Sequence, residues 1–147
     1  MSENRIKVRP LHFLLVEDDP DHAELILHVI DEQNAGHTSE HVADGAAALE
    51  HLESVKSGRR RWPDIVLLDL KLPKVDGLEV LDSMKSDPEL RSIPTVILTT
   101  SDAESDRARA YRSHANSYFV KPVSYEKFGA LVSELSTYWG GWDKGAR

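Results

Sequence analysis

The chain contains no cysteine, so neither a disulfide nor thiolate chemistry is open to it. That composition fits a reducing cytoplasm. No run approaches the roughly 20 apolar residues that span a bilayer. The opening stretch "MSENRIKVRPLH" also lacks the apolar centre of a signal peptide. A soluble cytoplasmic protein without a membrane partner is therefore expected. Basic residues are also short: 18 Lys and Arg face 25 Asp and Glu, for a formal net charge of −7. Nucleic-acid binding needs the opposite balance, so no nucleic-acid partner is expected. Small cations and basic protein surfaces fit better. The 147 residues suit one domain with one core, and no internal repeat is visible.

Five apolar runs are present: "HFLLVE" (12–17), "SEHVA" (39–43), "DIVLLD" (64–69), "IPTVILT" (93–99) and "SYFVK" (117–121). Three are nearly continuous, as strands covered on both faces are. "SEHVA" is the weak one and reads as a short or edge strand. Helical spacing lies between the runs. After Pro20, Leu25, Ile26, Val29 and Ile30 recur at that spacing, with Asp19 as N-cap and Pro20 at the first helical position. "DGAAALEHLESVK", "GLEVLDSMKSD", the Arg-rich "SDRARAYRSH" and "SYEKFGALVSELSTYW" supply four further helices, the last with Ser124 as N-cap. Strand and helix alternate five times, which predicts an α/β (βα)5 fold, a doubly wound five-stranded parallel sheet. Residues 1–10 read as an arm, 11–138 as the folded domain and 139–147 as a tail. "RRR" at 59–61 reads as a solvated loop, and the seven scattered histidines as surface or loop residues, none of them a phosphodonor.

Sites in open parallel sheets form beyond the C-terminal ends of the strands. Here the first run ends in Glu17-Asp18-Asp19, the third in Asp69, the fourth in Thr99-Thr100-Ser101 and the fifth in Lys121-Pro122. Two carboxylates 4 Å apart repel by about 4 kcal/mol at an effective dielectric near 20. Such a cluster raises a pKa or recruits a cation. An all-oxygen ligand set selects a hard ion, Mg²⁺ before Zn²⁺, and Mg²⁺ held by few carboxylates points to phosphoryl chemistry.

"LLVEDDP", "DIVLLDLKLPKVDGLEVL", "VILTTSD" and "ANSYFVKPV", in that order, resemble the receiver domain of two-component response regulators over roughly residues 11–138. "TTSD", "ANSY..KP" and the late "YW" resemble the stand-alone receivers that serve bacteriophytochromes. The resemblance implies a flavodoxin-like, CheY-like sheet with strand order 2-1-3-4-5. It implies Asp69 as phosphoacceptor. It implies a Mg²⁺ ion held by Asp18, by Asp69 and by the backbone carbonyl of Lys71, with Glu17 acting through a bound water. Asp19, one position past the pair, is left to cap a helix. Thr99 matches the switch hydroxyl, with Thr100 beside it as a gate. Lys121 matches the lysine that pairs with the phosphoryl oxygens, aimed by a cis peptide before Pro122. Tyr118 matches the aromatic switch that turns inward as Thr99 moves. Pro73 and Gly77 fit the turn after Asp69. His114 departs from the glycine often found at its position, so the turn before the fifth strand is expected to differ.

The implied protein is a phosphoacceptor rather than an enzyme with turnover. It takes a phosphoryl group from a sensor histidine kinase, of the bacteriophytochrome class, and reshapes the face made by the fourth helix, fifth strand and fifth helix. The last helix with Tyr138, Trp139 and Trp142 suggests a homodimer patch, unless Tyr138 and Trp139 only cap the chain's own core. Two rivals remain. A Mg²⁺-dependent phosphohydrolase of the haloacid-dehalogenase type would need a second Asp where Lys71 stands. A pseudo-receiver that binds partners without phosphorylation fits poorly with complete acid, Thr and Lys sets.

Overall fold

The computed structural model describes residues 9–33, 36–122 and 124–140. Five strands, β1 (His12–Val16), β2 (Thr38–Val42), β3 (Ile65–Leu68), β4 (Thr95–Thr99) and β5 (Ser117–Val120), alternate with five helices. These are α1 (Pro20–Asp31), α2 (Gly45–Lys56), α3 (Gly77–Ser86), α4 (Glu104–Arg112) and α5 (Tyr125–Gly140). The strands form one parallel sheet in the order β2-β1-β3-β4-β5, as expected. The three inner strands are buried at every residue, which is why they read as unbroken apolar runs. β2 at the edge is polar and half-exposed, and that is why its run was weak.

Side chains alternate across the sheet. Leu14, Val16, Val66, Leu68 and Ile97 pack with Leu52, Leu81 and Met84 of α2 and α3. Phe13, Leu15, Ile65, Leu67 and Val96 pack on the other face with Ile26, Val29 and Ile30 of α1 and Phe128, Val132 and Leu135 of α5. Each such side chain contributes about 1.5–3 kcal/mol by leaving water. α4 is the exception. Ala110 is its one buried residue, and its N-cap position, Ala103, makes no side-chain cap bond. It is the helix least tied to the core.

The other starts are well made. The Asp19 carboxylate accepts from the Asp21 and His22 amides, and Asp44 accepts from Ala47. Asp76 and Glu79 form a reciprocal capping box. Arg60 and Arg61, read as solvated, are exposed but reach Glu40 and Thr38 of β2, folding their loop over the sheet edge.

Two readings are adjusted. α5 runs through Gly140, so Trp139 is the end of a helix packed on the core rather than the start of a tail. Trp142 lies outside the described residues. No cis peptide occurs among the described residues, and the bond between Lys121 and Pro122 is trans. The register of β5 already aims Lys121 at the site, so the trans form, preferred by about 0.5–1 kcal/mol, suffices. His114 does sit in an unusual turn: its φ is +71°, the left-handed region that favours glycine. No described helix is long and apolar enough to cross a membrane.

Candidate functional site

The strand order reverses between β1 and β3, and a parallel sheet opens a crevice at such a switch point. The register puts both acids there. Val16 pairs with Leu68, and the Asp69 amide donates to the Val16 carbonyl at 3.1 Å, so Glu17 and Asp69 emerge side by side. On the far side Thr99 pairs with Val120, and the Lys121 amide donates to the Thr99 carbonyl at 2.7 Å. Four strand ends thus deliver their polar residues to one rim.

Lys121 is the hub. Its ammonium donates to Glu17 Oε1 at 2.6 Å and to Asp69 Oδ2 at 3.0 Å. All three residues are buried, with exposures of 1% for Glu17, 6% for Asp69 and 8% for Lys121. Charges this enclosed persist only when paired. Burial pushes the Glu17 carboxyl above its ordinary value, against the hydrogen bond from Lys121, which draws it down; the Asp69 charge adds to the rise.

Asp18 stands at the exposed mouth. One oxygen from each of Glu17, Asp18 and Asp69 lies within 4.8 Å of the others. Three carboxylates and one ammonium leave a formal charge of −2 at a site open on one side. That charge and the all-oxygen donor set fit a hard divalent cation. Asp19 takes no part in the cluster; it caps α1, where negative charge is favoured.

The other named residues fall around this centre. The Lys71 amide donates to Asp69 Oδ1 at 3.2 Å, and its side chain is exposed. Gly77 lets this loop close: a Cβ there would stand 2.2 Å from the Asp69 carbonyl oxygen and 2.6 Å from Leu70 Cα, both backbone atoms that cannot yield. Thr99 is fully buried and its Oγ1 accepts weakly from the Ser101 amide at 3.4 Å, while Thr100 is exposed. Tyr118 is 4% exposed and its hydroxyl donates to the Ser101 carbonyl at 3.0 Å, so the ring occupies the inward position. Burial raises its pKa above the ordinary tyrosine value.

The reading of the histidines as surface or loop residues fails in four places: His12 and His51 are buried, and His22 and His41 stand at the site. His22, in the first turn of α1, places Nδ1 2.9 Å from the Lys121 ammonium. His41 of β2 has its Nε2 2.8 Å from the Glu17 backbone carbonyl, holding the acid from the edge-strand side. For His22 the signal was available: it lies three residues past Asp19, on the turn that crosses the end of β1.

Comparison with known proteins agrees with this geometry. Residues 13–133 match the model of the response regulator receiver domain. The probable methanogenesis regulatory protein FilR2 of Methanothrix harundinacea is 46% identical over 135 residues, covering 92% of this chain and 87% of FilR2. The crystal structure of the phosphorylated cyanobacterial phytochrome response regulator RcpA superposes with a TM-score of 0.81 at 35% identity, covering 88% of this chain and 94% of RcpA. The Mn²⁺-bound form of response regulator Rcp1, a protein of Synechocystis, superposes with a TM-score of 0.80 at 34% identity, covering 90% and 96%.

Proposed function

Because this chain belongs to the response regulator receiver domain family, we propose that it accepts a phosphoryl group on Asp69 from a sensor histidine kinase and relays that charge through its α4-β5-α5 face. The observation that carries this reading is the buried Lys121 ammonium between Glu17 and Asp69, with the Asp18 carboxylate at the open side. Nothing in the fold or in the relatives named favours a phosphohydrolase, and Lys71 stands where that chemistry needs its second acid.

In the transfer, an Asp69 carboxylate oxygen bonds to phosphorus as the P–N bond of the kinase phosphohistidine breaks. The electron pair of that bond returns to the imidazole nitrogen, which takes up a proton. Loss of the group reverses the charge change: a water oxygen bonds to phosphorus, the P–O bond to Asp69 breaks, and carboxylate and inorganic phosphate result. Asp18, Asp69 and the Lys71 carbonyl would hold Mg²⁺, with Glu17 acting through water, and the bound ion supplies positive charge against the phosphoryl oxygens. Lys121 and the Thr99 hydroxyl donate to those oxygens as well. Drawing Thr99 toward them pulls on the Ser101 segment, to which Tyr118 is bonded. To move such a switch from 1:99 to 99:1, phosphorylation must favour one state by about 5.5 kcal/mol. α4, the least anchored helix, is where that change is easiest.

The likeness to RcpA supports a kinase of the phytochrome class as the partner. A cytoplasmic location goes with that partner. Output by contact between two copies is supported by Tyr138, 64% exposed on α5, with Val120 of β5 and Tyr111 of α4 also exposed. The test is an intact-mass measurement after incubation with phosphoramidate and Mg²⁺. One added phosphoryl group, absent in Asp69→Asn, is the expected result. No adduct from either phosphoramidate or a phosphorylated kinase would make the chain a receiver that binds without phosphorylation. Light-scattering mass before and after phosphorylation tests the dimer.

A further inference from the structure

His22 contacts the Lys121 ammonium from outside the buried pair. An ammonium has three N–H donors and no acceptor. Here each donor has one partner: Glu17 Oε1 at 2.6 Å, Asp69 Oδ2 at 3.0 Å and His22 Nδ1 at 2.9 Å. Because the ammonium can only donate, Nδ1 must carry the lone pair and the ring proton must sit on Nε2. The same Nδ1 is 3.7 Å from Asp19 Oδ2 and 4.0 Å from Glu17 Oε2, beyond hydrogen-bond reach. The burial is graded: the side chains of Glu17 and Lys121 are 1% and 4% exposed, that of His22 is 37%. Of the three acceptors, His22 is the one on the solvent side.

We infer that His22 is a positioning residue for phosphoryl transfer, holding the Lys121 ammonium at the outer edge of Asp69 through a neutral acceptor. This rests on the phosphoacceptor reading above. Two carboxylates draw the ammonium inward. When a phosphoryl group joins Asp69, negative charge moves outward from the carboxylate to the phosphoryl oxygens. The ammonium must then turn a donor toward solvent. A neutral ring nitrogen on that side keeps it within reach without cancelling its charge, as a third carboxylate would.

The experiment compares the native chain with His22→Leu, which removes the acceptor, and His22→Asn, whose Oδ1 is bonded to Cγ as Nδ1 is. The probe is phosphoramidate with Mg²⁺, and the readout is the rate of the Asp69 adduct at varied donor concentration. His22 is partly exposed, so both variants should fold, and a thermal melt checks this. For His22→Leu the maximal rate should fall roughly tenfold, as expected for losing a hydrogen bond to a charged group. The half-saturating donor concentration should hold steady, and His22→Asn should regain most of the rate. An unchanged maximal rate in His22→Leu, or no recovery in His22→Asn, overturns the inference and leaves the phosphoacceptor reading standing. Absence of adduct in the native chain overturns both. A measurement without phosphorylation separates the two: ¹⁵N shifts of the His22 ring should show the Nε2–H tautomer, and an Nδ1–H tautomer sinks the His22–Lys121 bond.

Discussion

The guanidinium of Arg107 lies 4.5 Å from the centroid of the Tyr118 ring. Arg107 belongs to α4 and Tyr118 to β5, so this stack ties the least anchored helix to the sheet. The Tyr118 hydroxyl is bonded to Ser101, and Ser101 Oγ donates to Asp106 of α4 at 2.6 Å. Ring, loop and helix form one linked unit beside Thr99.

Arg107→Ala should therefore loosen α4 more than it destabilises the protein. A cation–π contact at a partly exposed site is worth about 0.5–1 kcal/mol. The expected result is a loss of that order in urea unfolding, with amide exchange in α4 quickened more than in α3. Equal exchange in both helices would show that the stack does not hold α4.

His114 carries a left-handed backbone in the turn that leads from α4 to β5. A side chain there costs about 1–2 kcal/mol that glycine avoids. Glycine gives some of that back through the freer unfolded chain. His114→Gly should raise stability by about 0.5–1 kcal/mol, and His114→Ala should not. Denaturant midpoints at constant slope decide between them.

What the sequence conveyed follows from where burial is two-sided. β1, β3 and β4 were legible because every residue faces a helix layer. β2 was faint because Glu40 and His41 sit on a half-exposed edge. Glu17, Asp18, Asp69, Thr99 and Lys121 were legible as polar residues at the ends of apolar runs. His22 and Arg107 were not, since their roles depend on how a helix turn lies over a strand end, and spacing does not carry that. The inward Tyr118 was named, but its partners Ser101 and Arg107 were not. Its hydroxyl and ring face different elements, and only the packing of α4 on β5 brings them together.

His37 makes stability depend on acid. Its Nδ1 accepts from the Leu11 amide at 2.9 Å, and burial holds its pKa below the ordinary histidine value of 6.5. The folded protein then binds fewer protons than the unfolded chain as pH drops below about 6.5. Stability is lost through that window, down to the folded pKa, and levels off beneath it. His51, also held low by burial, acts in the same direction. Urea unfolding between about pH 5 and pH 7 should show the fall. His37→Asn, which keeps an acceptor for Leu11, should remove the His37 share of the slope. An unaltered slope would assign the whole effect to other groups.

Divalent metal should stabilise the fold through the carboxylate mouth. The unfolded chain does not gather Glu17, Asp18 and Asp69, so Mg²⁺ favours the folded state by mass action. At ten times its dissociation constant the gain is about 1.4 kcal/mol. Asp18 is the exposed member of the cluster, and among the described residues its side chain makes no hydrogen bond or ion pair. Asp18→Asn removes one negative charge from a crowded site, so without metal this variant should melt at or above the native temperature. With Mg²⁺ the order should reverse, because the native chain gains and the variant does not. A Mg²⁺-dependent rise of equal size in both proteins would place the ion elsewhere. No rise in the native chain would mean that Lys121 alone offsets the buried acids, and the site would then have to meet a phosphoryl group with the ammonium as its main counter-charge.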